Sequence, residues 1–196
     1  MHGRMILRAV LFALVALIGS AGTCQLTFMG DKVVLDSVVQ VDTTAYTVLY
    51  ERAREWMLRN LKSSDSQILL DDSTRVRLIG TANLLLPSKN GPDKSIHTDR
   101  VLNFKLSLSF KDGRYRVICE NIVYSYRFVR GSSAFQIRNT AEELFLYLKT
   151  AENKGRHKSI DIAREPIAEM DLAIAGMLKA LDATVRGESG LINGDW

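Results

Sequence analysis

The sequence predicts an α+β fold, with helices packed on one face of a mainly antiparallel sheet in the order β-α-β-β-β-β-α-α. Residues 33–41 alternate between apolar and polar with the period of a strand. Two later alternating runs are separated by a two-residue turn, which predicts a hairpin. Three further segments carry apolar stripes with the period of a helix. Hairpins make neighbouring strands antiparallel, and each apolar helix face must be buried against them.

The first strand and helix follow from these periods. Thr43 and Thr44 come directly after the strand and predict an N-cap for a helix over residues 45–61. A polar segment follows, then a short strand at 67–70. The apolar stripe of the helix consists of Tyr46, Leu49, Tyr50, Ala53, Trp56, Met57 and Leu61.

The next strand is predicted over residues 75–86, because its even positions are apolar or small. Residues 71–74 precede it and have the composition of a turn. Residues 87–95 follow it, and their Pro, Gly and charge content predicts a loop.

The hairpin is the strongest local signal in the chain. Even positions are apolar from Leu102 to Phe110, and Asp112 and Gly113 then suit the two positive-φ positions of a tight turn. A two-residue loop pairs Leu106 with Cys119 across the strands, so Cys119 is predicted to be a free, buried thiol. The other predicted pairs are Phe110 with Tyr115 and Leu108 with Val117.

The pattern of the second hairpin strand changes phase after Asn121. One interpretation is a β-bulge that turns the later large residues inward. The other is a row of large side chains on the opposite face, available to a partner. The candidate partner face consists of Ile118, Ile122, Tyr124, Tyr126 and Phe128.

The C-terminal part is predicted to be helical. Thr140 and Glu143 form a capping box, and a charged linker follows over residues 152–158. Pro166 suits the first turn of a last helix, and Gly187 suits its end. The predicted domains are a signal peptide (1–23), an α+β domain (30–130), a helical extension that packs on the sheet (131–187) and a flexible tail (188–196).

The N-terminus has the layout of a secretory signal. Arg4 and Arg8 flank a short apolar run that ends at Ile18, and small residues follow. The run is shorter than the ~20 residues of a membrane-spanning helix, which disfavours an uncleaved anchor. A lipoprotein acylated at Cys24 is disfavoured because no branched apolar residue stands at the required place before it. The protein is therefore expected to be exported, either periplasmic or secreted.

The composition excludes several classes of protein. The net charge is +4, and it falls to +2 without the two arginines of the signal. So small a positive charge does not indicate a surface that binds the phosphates of nucleic acid. Two cysteines do not make a disulfide scaffold or a zinc site. Nucleic acid is therefore a disfavoured partner.

Candidate catalytic and metal-binding residues have simpler interpretations. His97 with Asp99 lacks a nucleophile nearby, and Asp71 with Asp72 lacks the spacing of a calcium loop, so both pairs are interpreted as loop and turn residues. His157 lies in a charged linker. Five arginines lie close in sequence to Tyr124, Tyr126 and Phe128. Their side chains are interpreted as extended over a solvent-exposed face of the sheet: Arg114, Arg116, Arg127, Arg130 and Arg138.

Five short stretches between residues 33 and 126 share the spacing of one known family: Val39, Gln40 and Val41, Leu49 to Ala53 with Trp56, Leu70 to Asp72, Leu78 to Gly80, and Lys111 to Tyr115. With these residues the segment resembles a bacterial family of secreted domains of unknown function with a TATA-binding-protein-like fold. A minor departure is Thr74 with Arg75, where the family often has small residues. The resemblance implies this fold and an envelope setting, and it implies no catalytic residue.

The expected function is a non-enzymatic binding or structural module of the cell envelope, without a catalytic residue, cofactor or metal. Its expected partner is an envelope protein, a peptide or a glycan. The alternative is a periplasmic hydrolase-like enzyme, which needs titratable groups that converge in a concave site.

Signal cleavage can be tested on the N-terminus of the protein taken from cells. We expect N-terminal sequencing to start between Gly19 and Cys24, because the small residues there suit signal peptidase. Recovery of an intact Met1 on membrane-bound protein would contradict this prediction.

Overall fold

The computed structural model describes residues 25–61, 67–90, 96–130 and 133–188, without the side chains of 88–98 and 128–134. The predicted signal peptide, Cys24 and most of the predicted tail lie outside these residues. The strands are β1 (Thr27–Met29), β2 (Lys32–Gln40), β3 (Gln67–Asp72), β4 (Arg77–Asn90), β5 (Ile96–Lys111), β6 (Arg114–Arg130) and β7 (Ser133–Thr140). The helices are α1 (Tyr46–Asn60), α2 (Ala141–Asn153) and α3 (His157–Arg186).

The strands form one antiparallel sheet in the order β1-β2-β6-β5-β4-β3, and β7 also pairs with β6. β2 pairs with residues 114–119 of β6, and β7 pairs with residues 123–130 along the same edge. The helices and the sheet share one core. The α+β class and the predicted element order are confirmed, with β1 and β7 as two strands that the sequence analysis missed.

The predicted hairpin is confirmed in register but not in turn geometry. Cys119 pairs with Leu106, is buried, and forms no disulfide with a described residue. Gly113 has φ of 69°, whereas Asp112 is not left-handed, so the prediction of two positive-φ residues was wrong.

The start of α1 differs from the sequence prediction. Ala45 is the N-cap residue and contributes no side-chain cap, so the prediction of Thr43 or Thr44 was wrong. The backbone N–H of Tyr46 instead donates to Oδ1 of Asp112 at 2.9 Å. The hairpin turn therefore supplies the acceptor that a local capping residue usually provides.

The predicted loop from residue 87 is also wrong at its start, because β4 continues to Asn90. The pairing with β5 shifts register between Leu86 and Lys89, around Pro87. A bulge accommodates proline in a strand, since the residue there makes no ladder bond through its N–H. This irregular pairing extends the sheet beyond its predicted end.

Among the described residues, no helix is both long and apolar enough to cross a membrane. The apolar stripe of α3 is instead used against the sheet, where Met170, Ile174 and Leu181 are fully buried.

The turn at Gly113 can be tested by substitution. A Cβ at Gly113 meets only the Val41 carbonyl oxygen, at 3.8 Å, so Gly113→Val causes no clash. The strain of a positive φ should still lower the free energy of unfolding by ~1–2 kcal/mol in urea titrations. Lys111→Val, in extended backbone beside the turn, is the matched control. Equal stability of the two variants would contradict the turn geometry.

Candidate functional site

A β-bulge at Asn121 decides where the predicted partner face lies. Asn121 has φ of 55°, and two residues of β6 there oppose one residue of β5. Ile122 and Tyr124 are therefore buried in the core, whereas Ile118 is half-buried on the other face. The five residues do not form one exposed row, because the bulge re-phases the strand.

Beyond the bulge, the inward side of β6 lines a cleft of about 660 Å³ between the sheet, α2 and α3. Tyr126 is half-buried there, and the side chain of Phe128 lies outside the described residues. Two members of the predicted face, Tyr124 and Tyr126, thus line the same cleft. The lining residues are Arg100, Tyr124, Tyr126, Asn139, Glu143, Leu144, Tyr147, Ile162, Ala163, Glu165 and Pro166.

The floor of the cleft holds a polar network. Arg100 is only 6% exposed and donates from its two terminal nitrogens to Oε1 of Glu169 and to the carbonyl of Pro87. Its Nε makes no hydrogen bond to a described residue. The hydroxyl of Tyr124 donates to Oε2 of Glu169 at 2.7 Å, so both carboxylate oxygens are engaged.

Burial and these contacts fix the charge states of the floor. Burial, followed by the hydrogen bond to Glu169, raises the pKa of Tyr124 well above its ordinary value. Burial is the largest single effect on Arg100 and lowers its pKa, but the contacts with Glu169 and Tyr124 together outweigh burial, so the net pKa is raised. The floor thus consists of a neutral phenol and a paired guanidinium, both unsuited to proton transfer near neutral pH.

The mouth of the cleft is formed by exposed residues of the two helices. Tyr147 of α2 is 48% exposed and Ile162 of α3 is 57% exposed. Glu143 precedes Tyr147 by one helical turn, so the two side chains share one face of α2. Glu143 also confirms the predicted capping box, since its carboxylate accepts from the Thr140 N–H at 2.8 Å.

Pro166 lies inside α3 rather than in its first turn, so the prediction of its position was wrong. Because proline has no N–H, the carbonyl of Ile162 loses its usual helical donor. Ile162 and Pro166 both line the cleft. The Ile162 carbonyl therefore lacks the donor that any other residue at position 166 would supply.

The apolar surface continues from the cleft onto β7. Ile137 pairs with Tyr126 across the strands, so the two side chains are neighbours on one face. Ile137 and Phe135 are both exposed. The cleft thus opens onto an uncovered apolar strip of the sheet.

The other candidate residues lie apart from this cleft. Asp71 accepts from the hydroxyl of Tyr50 and from Nε of Arg54 at 2.6 Å, and so ties α1 to β3. Asp72 accepts from two backbone N–H groups of its turn. Asp99 and His157 are exposed, and the side chain of His97 is not described. Within the described ranges, no three His, Cys, Asp or Glu residues are grouped as metal ligands.

The predicted basic surface residues are also distributed outside the cleft. Arg116 pairs with Asp36 across β2 and β6, and this contact lowers the pKa of Asp36. Arg114, Arg127 and Arg138 are exposed. The side chain of Arg130 is not described.

Sequence reasoning missed Arg100 and Glu169, although one signal for Arg100 was present. The even positions of β5 face the core from Leu102 onwards, and position 100 continues that phase. A charged side chain at a core-facing position of a strand needs a buried partner. The partner, Glu169, lies on α3 and is distant in sequence, so no local pattern identifies it.

Residues 36–125 match the model of DUF4468, a domain of unknown function with a TBP-like fold. The match confirms the family and the fold of the resemblance inferred from the sequence. The matched segment ends within β6, before Tyr126, so the lining residues on α2, α3 and β7 lie outside it.

One solved structure supports the TBP-like fold. A TBP-like protein from Parabacteroides distasonis ATCC 8503 superposes with a TM-score of 0.61 at 12% identity, over 82% of this chain and 97% of that one. A DUF4468 family protein from Bacteroides ovatus ATCC 8483 gives a TM-score of 0.48 at 21% identity, over 79% and 91%. No curated protein matches the chain.

The floor network can be tested by removing its carboxylate. Glu169→Leu leaves the guanidinium of Arg100 buried and unpaired, so we expect a loss of ~3–5 kcal/mol in the free energy of unfolding. The double variant Arg100→Leu with Glu169→Leu should regain most of this loss. Asp161→Leu, an exposed change on the same helix, is the control. A double variant as unstable as the single one would contradict the pairing.

Proposed function

We propose that the protein is an exported, non-enzymatic binding module whose ligand enters the cleft between α2, α3 and the sheet. The observation that carries this proposal is the cleft itself, about 660 Å³ and lined mainly by aromatic and aliphatic groups. Ligand sites typically measure ~300–1,000 Å³ and combine apolar walls with a few fixed polar groups. Arg100 and Tyr124, both held by Glu169, are such fixed groups.

The chemistry of the lining favours binding over catalysis. Among the lining residues that the structure describes, there is no His, Cys or Ser that could act as a base or nucleophile. The hydroxyl of Tyr124 is engaged with Glu169, and its raised pKa keeps it protonated. Positioned and unreactive groups suit recognition of a ligand.

The exposed residues at the mouth also favour a ligand. Tyr147 and Ile162 leave large apolar groups in water beside the cleft, and Ile137 and Phe135 extend that surface. Such contiguous exposure is typical of interaction sites in proteins. The proposal of export rests on the signal-like pattern of residues 1–23.

The proposal can be tested by asking whether a small molecule copurifies with the protein. We expect native mass spectrometry of protein isolated from its own cells to show a bound mass that denaturation releases. Ile162→Asn should lower the bound fraction at least severalfold, because it places an amide at the apolar mouth.

Leu172→Asn is the matched control, since Leu172 is 76% exposed on the same helix and does not line the cleft. The control should retain the bound mass. Equal retention by both variants, or no bound mass in the unmutated protein, would contradict the proposed function.

A further inference from the structure

We propose that the ligand is a single-chain amphiphile with an ammonium head, an inference that rests on the proposed function of the cleft. The apolar chain lies between the sheet and the two helices. The head lies at the mouth, beside Glu143, Tyr147 and the backbone carbonyl of Ile162.

The interior of the cleft suits an apolar chain. Leu144, Ala163 and Pro166 form its helical walls, and the ring of Tyr126 contributes to the sheet side. The carboxylate of Glu169 already accepts from Arg100 and Tyr124, so a hydrocarbon chain takes no partner away from it. A sugar placed there would set hydroxyl groups against the aliphatic walls and lose their bonds to water.

The mouth suits a cationic head. The carboxylate of Glu143 caps α2 through one of its oxygens, and Tyr147 presents an aromatic ring one turn further along the same helix face. A carboxylate and an aromatic ring side by side attract an ammonium group through charge and through the cation–π interaction.

The third feature of the mouth is the backbone acceptor in α3. Pro166 leaves the carbonyl of Ile162 without its helical N–H donor, and an ammonium group supplies N–H donors of its own. The cation of the described lining, Arg100, is engaged by Glu169 in the floor. Among the described residues of the mouth, an anionic head would therefore meet the carboxylate of Glu143.

Amphiphiles that share one chain separate the contribution of the head from that of the chain. Calorimetric titration of the purified full-length protein uses dodecylammonium, dodecyl sulfate and dodecyl maltoside, each well below its micelle concentration. We expect dodecylammonium to bind roughly tenfold more tightly than dodecyl sulfate. Ethylammonium, which has the head without the chain, should show no measurable binding.

Two variants test whether the ammonium head lies at the mouth of the cleft. Glu143→Gln removes the charge but keeps the capping box, because glutamine also caps at this position. It should weaken dodecylammonium binding severalfold and leave dodecyl maltoside unchanged. Glu51→Gln, an exposed change on α1, is the matched control. Pro166→Ala gives the Ile162 carbonyl a helical donor and should likewise weaken only the ammonium ligand.

The outcomes separate this inference from the proposed function. Equal affinity for dodecyl sulfate, or an unchanged affinity in Glu143→Gln, would overturn the ammonium head. Binding of maltotetraose that Ile162→Asn abolishes, without binding of any amphiphile, would overturn the inference and leave the binding module standing. Failure of every probe to bind would overturn the amphiphile, whereas the copurified mass separately decides the proposed function.

Discussion

The β-bulge at Asn121 is the constraint on which the rest of this architecture depends. Before the bulge, β6 pairs with β2, and beyond it β6 pairs with β7 along the same edge. The change of phase brings Ile122 and Tyr124 into the core, where they would otherwise face outward. One left-handed residue thereby allows a single long strand to serve two strand partners and to line the cleft.

The sequence predicted most of the elements, because their apolar periods are strong and local. The hairpin register, the buried Cys119 and the capping box at Thr140 all follow from residues close together in the chain. The strands β1 and β7 were missed since β1 is three residues long and β7 is largely exposed. Pro166 was misplaced because tertiary packing keeps it inside a long helix, against its local preference.

The candidate site was predictable only in part, for the same reason. Tyr124 and Tyr126 were identified as unusual, but their location in a cleft depends on how α2 and α3 cross the sheet. The pairing of Arg100 with Glu169 joins residues of β5 and α3, which no periodicity connects.

The contact between Tyr46 and Asp112 has a consequence for the order of folding. The first turn of α1 takes its acceptor from a residue 66 positions later in the chain. Until the β5–β6 hairpin has formed and docked, water takes the place of this acceptor. Hairpins form in ~1–10 μs. The slower step is therefore closure of the long chain segment between Tyr46 and Asp112. A substitution that disrupts the turn at Asp112 would then slow the formation of α1, although the two lie far apart in the chain.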